Sequence, residues 1–116
     1  MSRGRFQRSV KAGQARVHVI PARVDGTGTA AILSGGQELT LVDNGVGDYT
    51  LTFAPGAFAA VPTILVTPVT DETICRIGTL SASSVQILCD DATDGTTAKD
   101  ADFHVMIVGS DSADEV

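Results

Sequence analysis

The feature that most restricts this fold is punctuation. From residue 16 onward, short runs of β-forming residues recur about every 8 to 14 positions, separated by Gly, Pro, Asn and Asp, and no long stretch carries a helical period. The chain therefore reads as all-β. About eight strands are expected: Arg16 to Val24, Thr29 to Leu33, Gln37 to Val42, Asp48 to Phe53, Thr63 to Thr70, Thr73 to Leu80, Ser84 to Cys89 and Asp102 to Val108.

Within these runs the side-chain pattern separates one-sided from two-sided strands. Leu39 and Leu41 alternate with Glu38 and Thr40, and Tyr49, Leu51 and Phe53 alternate with Thr50 and Thr52, so each strand has one buried and one wet face. Asn44-Gly45-Val46-Gly47 between them is a glycine-rich hairpin connection. Ile64-Leu65-Val66 and Val105-Met106-Ile107-Val108 are apolar on both faces, which predicts central strands or strands covered from outside by another subunit. Ala54 to Val61 is punctuated too closely by Pro55, Gly56 and Pro62 for more than one helical turn; it reads as a loop that inserts Phe58 into the core. Asp90 to Lys99 reads as an exposed polar connection.

The 116 residues are 43% hydrophobic, which suits one domain, but four Phe and one Tyr are the only aromatics. A core built mainly from Val, Ile, Leu and Ala buries less area per residue and gains from a partner subunit. No apolar run approaches the ~20 residues of a membrane-spanning helix. The arginine-rich start also lacks the apolar segment of a secretory signal, so neither a membrane nor an exported protein is expected.

Charge divides the chain. Residues 1 to 24 hold Arg3, Arg5, Arg8, Lys11, Arg16 and Arg23 and no carboxylate, a charge of +6; the remainder carries −12, for the −6 of the whole. The expected organisation is a basic arm over 1–15, a β-sandwich domain over 16–109 and an acidic tail over 110–116. A basic arm on an acidic body docks on nucleic acid or on an acidic protein surface. Protein is favoured, because the arm has one aromatic, Phe6, and the acidic fold repels phosphate. Arg3, Arg5, Arg8, Lys11 and Arg16 are the candidate anchoring charges.

The residues that could carry chemistry fall short of known constellations. Cys75 and Cys89 sit symmetrically about Ala82 in a hairpin turning at Ser81-Ala82-Ser83-Ser84. That register puts them opposite one another, with Ile77 facing Ile87 and Thr79 facing Val85. They are close enough to be bridged, but without an export signal buried reduced thiols are favoured. His18 and His104 lack metal-ligand spacing to the cysteines, and each is expected to face solvent or a subunit contact. Asp90, Asp91, Asp94, Asp100 and Asp102 around Gly95 suggest a calcium loop. Alignment to an EF-hand puts Ala92 and Ala101 where oxygen ligands are required, so a solvated acidic loop is the reading kept. Gly26-Thr27-Gly28-Thr29-Ala30-Ala31 matches a dinucleotide-binding glycine pattern, but β-formers follow where a helix must open. No nucleophile elbow and no Cys–His pairing is present. No catalytic residue, metal or cofactor is assigned.

The run Gly45-Val46-Gly47-Asp48-Tyr49-Thr50-Leu51-Thr52-Phe53, then Phe58, Val61-Pro62 and Ile64-Leu65-Val66, and the closing Asp102-Phe103-His104-Val105-Met106-Ile107-Val108-Gly109 resemble small β-domains of tailed-bacteriophage virions. These include capsid decoration or cement proteins and the tips of head and tail fibres. The resemblance spans Asp43 to Gly109 and is a pattern of turns and alternating hydrophobes. It implies a jelly-roll-like β-sandwich without enzymatic activity, forming a homo-oligomer, a trimer in such domains, on the capsid exterior against the major capsid protein. No collagen-like, heptad or β-repeat shaft precedes residue 24, which favours cement over fibre. A receptor-binding fibre tip is the first alternative, and a carbohydrate-binding module or small enzyme is weaker, since sugar platforms present exposed aromatics.

Overall fold

The computed structural model describes residues 17–110. Eight strands and one short 3-10 turn follow in order: β1 (Val17–Asp25), β2 (Ala31–Ser34), the turn Gly36–Glu38, β3 (Leu39–Gly45), β4 (Asp48–Phe53), β5 (Thr63–Pro68), β6 (Thr73–Leu80), β7 (Ser84–Asp91) and β8 (Phe103–Ser110). They form two four-stranded antiparallel sheets, β2-β1-β8-β5 (sheet A) and β3-β4-β7-β6 (sheet B), packed as a sandwich. The jelly-roll character lies in the pairing of first strand with last, Val17 opposite Ser110 through Val24 opposite Phe103, and of β4 with β7. Hairpins stay within a sheet at β1–β2, β3–β4 and β6–β7, and the remaining connections cross between sheets.

Period-2 alternation sorts the side chains. Ile20, Val24, Phe103 and Ile107 from sheet A meet Tyr49, Leu51, Val85 and Ile87 from sheet B, all essentially without exposure. The aromatics are concentrated here: Tyr49 and Phe103 lie 5.4 Å apart, and Phe53 meets Phe58 edge-on at 5.2 Å. Phe58 reaches the core from the loop after β4, as its sequence predicted; that loop turns through Ala57 N–H on the Ala54 carbonyl and is anchored by Ala59 N–H on the Ser110 carbonyl.

Several boundaries and one register differ from expectation. Gln37 belongs to the 3-10 turn that follows Gly35, whose φ of 78° and close approach to the Pro21 carbonyl leave no space for a side chain. β5 stops at Pro68, while Val69 and Thr70 turn to bond the Asp102 carbonyl. β5 is an edge strand, so its two-sided apolarity does not reflect a central position; β8 is central as expected. In the β6–β7 hairpin Cys75 faces Cys89 and Ile77 faces Ile87, but a bulge follows, and Leu80 rather than Thr79 opposes Val85. Gly78 causes this slip: lacking a side chain, it lets the Gln86 side chain fold over the edge strand and accept the Thr79 N–H at 3.1 Å.

The ends of the sandwich are closed by polar bonds. The buried Tyr49 hydroxyl donates to the Gly26 carbonyl (2.9 Å), accepts the Ala101 N–H (3.3 Å) and lies 3.1 Å from Asp100, whose same oxygen accepts the Gly47 N–H. Burial first, and then the neighbouring Asp100 carboxylate, push the phenol above its ordinary range. Gly47 has φ 64°, and a Cβ there would collide with the Cys89 carbonyl, so this turn requires glycine. The expected exposed connection begins later than Asp90, because Asp90 and Asp91 complete β7 and Asp90 is buried. Ala92 to Ala98 are exposed but ordered by side chains, as Asp91 and Asp94 accept N–H and hydroxyl bonds from Thr93, Thr96 and Thr97, and Lys99 Nζ bonds the Asp71 carbonyl at 2.7 Å.

Candidate interaction surface

The arm residues Arg3, Arg5, Arg8, Lys11 and Arg16, and the acidic tail from residue 111, lie outside the described residues. The surface that stands out among the described residues is the outer face of sheet A. Alternation turns Val17, Val19, Pro21 and Arg23 of β1 outward, beside Val108, Met106 and His104 of β8 and Thr63, Leu65 and Thr67 of β5. Rows therefore run across the sheet: Val19, Val108, Thr63; then Pro21, Met106, Leu65; then Arg23, His104, Thr67. Val17 is 73% exposed, Leu65 59%, Leu33 54% and Met106 42%. An isolated exposed apolar side chain is ordinary; here Val19, Val108, Pro21, Met106 and Leu65 stand side by side in two adjacent rows of one sheet.

A cleft of about 550 Å³ opens on this face between the β2 edge and β5, with Pro21, Leu65 and Met106 as its apolar part and Arg23, His104 and Ser34 as its polar side. Local geometry explains it. The β1–β2 ladder slips between Arg23 and Val24, and Gly35 then lies flat against Pro21, so the chain rises as a wall on one side of the cleft.

The two histidines diverge. His104 is exposed on the outer face, in keeping with a solvent or contact position. His18 instead shares the inward register of Ile20; its Nδ1 lies 2.8 Å from the Ala57 carbonyl, Nε2 is 2.9 Å from Glu38, and the ring meets Phe58 at 5.1 Å. It ties β1 to two of the connections that cross between the sheets, the β2–β3 turn and the β4–β5 loop, which corrects the outward placement. Its parity with Ile20 was readable in the sequence; its partners, 20 and 39 residues away, were not.

The remaining candidates are structural in geometry. Cys75 and Cys89 are free thiols on the inner side of sheet B, with sulfurs 3.0 Å apart. Of the five aspartates, Asp91 and Asp94 cap local turns, Asp90 pairs with Arg76, and Asp100 and Asp102 accept N–H bonds from Gly47 and Gly26; no group of three or more possible metal ligands converges among the described residues. Tyr49, Phe53, Phe58 and Phe103, the four described aromatics, are all buried, so none offers a stacking platform to a sugar or base. No helix among the described residues is long and apolar enough to cross a membrane. Compared with family models, curated proteins and solved structures, the chain has no match.

Proposed function

We propose that this chain is a non-enzymatic virion structural protein, a capsid decoration or cement protein of a tailed bacteriophage that acts as a homo-oligomer on the capsid exterior. The observation that carries the reading is the contiguous apolar outer face of sheet A, and its occupant is a second copy of the chain. The 9, 4, 8 and 6 residues of β1, β2, β8 and β5, at about 3.3 Å along and about 4.8 Å across, give a face of roughly 430 Å² in projection. Before side-chain relief is counted this is about half of the ~800 Å² per partner of a standard specific interface. Self-association by this face suits a core with few aromatics and leaves sheet B toward solvent. The resemblance supplies the capsid, and the charge of Arg3, Arg5, Arg8, Lys11 and Arg16 supplies the tie to an acidic neighbour, the major capsid protein, with many weak contacts adding by avidity.

Two measurements test this. Sedimentation of the full chain at micromolar concentration is expected to show a closed oligomer, a trimer by the resemblance; a monomer at tens of micromolar overturns the sheet A interface. Quantitative mass spectrometry of virions of the encoding phage is expected to find the chain in near-stoichiometric ratio to the major capsid protein. A handful of copies would favour the fibre tip, and absence from virions would end the virion reading.

A further inference from the structure

We propose that Cys75 and Cys89 are a covalent modification site: the pair closes to a cross-strand disulfide by exchange with a low-molecular-weight disulfide of the glutathione type, clamping edge strand β6 to β7. The site is separate from the outer face of sheet A and does not depend on the assembly role.

Register and backbone bonding carry the argument. Cys75 directly opposes Cys89. Both backbone groups of Cys89 are engaged on the side away from β6: its N–H donates to the Gly47 carbonyl at 2.8 Å, and its carbonyl accepts the Lys99 N–H at 2.9 Å. Toward β6 the two cysteines therefore form a non-hydrogen-bonded pair, the antiparallel position where Cα atoms approach to about 4.5 Å and side chains are closest. That separation lies within the range a disulfide spans without backbone movement. The side chains already point at one another, with sulfurs at 3.0 Å.

Access differs between the two thiols in the way exchange requires. Cys89 is fully buried, whereas Cys75 is half-buried on the edge strand. The bond from Cys89 to Cys75 lowers the Cys75 thiol and raises Cys89, which marks Cys75 as the first to become a thiolate. The Cys75 thiolate attacks one sulfur of the small disulfide, the S–S bond breaks, and one small thiolate leaves with the electron pair. Cys89 sulfur then attacks Cys75 sulfur in the mixed disulfide, and the second small thiolate departs, taking up the Cys89 proton. Two protein thiols are oxidised and one small disulfide is reduced to two thiols.

The bridge would act where sheet B is weakest. Just beyond Ile77, two residues after Cys75, the ladder slips at the bulge around Gly78, and β6 has no strand paired on its other side. A clamp there opposes peeling of the edge strand.

The test uses the full chain, fully reduced and then incubated with glutathione disulfide, followed by intact mass, alkylation and peptide mapping under non-reducing conditions. The expected result is loss of two hydrogens, no retained glutathione, and one intrachain Cys75–Cys89 link, with Tm higher by on the order of 10 °C and restored by reductant. In Cys89→Ser the mixed disulfide should persist on Cys75. Two thiols still free, glutathione retained on the unsubstituted chain, or a bridge between chains would each overturn the site; a bridge that leaves Tm unchanged or lower would overturn the clamp.

Discussion

The two outer faces of this sandwich are built from the same alternating strands and differ in how polar side chains cover them, sheet B leaving Val42 and Ile74 exposed among bonded polar groups. On sheet B the outward positions of β3 and β4 are Thr40 opposite Thr52 and Val42 opposite Thr50, and side chains there bond to each other: Asn44 to Thr50 at 2.7 Å, Asn44 to Asp48 at 3.1 Å and Gln86 to Asp48 at 2.9 Å. On sheet A the corresponding rows hold Val19, Pro21, Leu65, Met106 and Val108. Both faces leave the fold itself intact, because the core takes only the inward half of each strand. The difference teaches that folding does not dictate the outward half of sheet A, since a threonine-rich face of the sheet B type would leave the same core behind it.

The sharpest way to break this comparison is to put charge on both faces. Leu65→Asp with Met106→Asp should weaken self-association by roughly 100-fold or more while circular dichroism stays that of a folded sandwich. Thr52→Asp on sheet B should leave sedimentation unchanged. Equal sensitivity of the two faces would remove the distinction between them.

A second substitution asks whether the two sheets stand or fall together. Tyr49→Phe leaves the Gly26 carbonyl and Ala101 N–H without the hydroxyl, and should cost about 1–3 kcal/mol in urea unfolding, with one transition for both sheets. Two separated transitions would mean that the faces belong to independent units. Smaller again is Gln86→Leu, which removes the bonds to Asp48 and Thr79 from the polar face and should cost about 1 kcal/mol in the same assay without changing oligomeric state.

The smallest effect concerns acid. Thr97 and Thr96, through hydroxyl and N–H bonds, hold Asp94 down at about 2, and Asp91 is lowered by Thr93 in the same way. A carboxylate depressed in the folded chain stabilises its turn above the ordinary carboxylate range and loses that contribution as pH falls toward 2. Because Asp94 is exposed and Asp91 sits at the very end of β7, the loop between them should loosen locally below pH 4 while both sheets persist. Amide exchange at Thr96 and Thr97 reads this directly; if the β4 and β7 amides lose protection over the same pH range, the loop is not a separate unit.

How far the sequence shows this arrangement depends on the range of the interaction that decides each feature. β4 was readable to the residue, because Tyr49, Leu51 and Phe53 alternate without interruption between a glycine turn and Pro55. The facing of Cys75 and Cys89 followed from symmetry about the hairpin turn, yet the bulge beyond Ile77 did not, since it depends on a side chain, Gln86, filling the space over Gly78. Leu65 and Met106 announced themselves as apolar on the wrong side of their strands. Their joining with Val17, Val19 and Pro21 into one surface required the β1–β8–β5 order, which pairs β1 with β8 across 79 to 93 positions and β5 with β8 across 35 to 45, and which no local pattern encodes. The bonds of Tyr49 to Gly26 and Ala101, 23 and 52 positions away, were hidden for the same reason.

The side-by-side placement of Val17 and Ser110 has a mechanical consequence. The polypeptide enters and leaves the sandwich at one corner of sheet A, so tension that draws those two points apart loads the β1–β8 ladder one rung at a time, like a zipper. Tension that enters through residues before Val17 and is resisted by a neighbour seated across the strands is shared by many rungs at once. A copy gripped on its face would therefore hold under a load that would open the same copy pulled between its two ends.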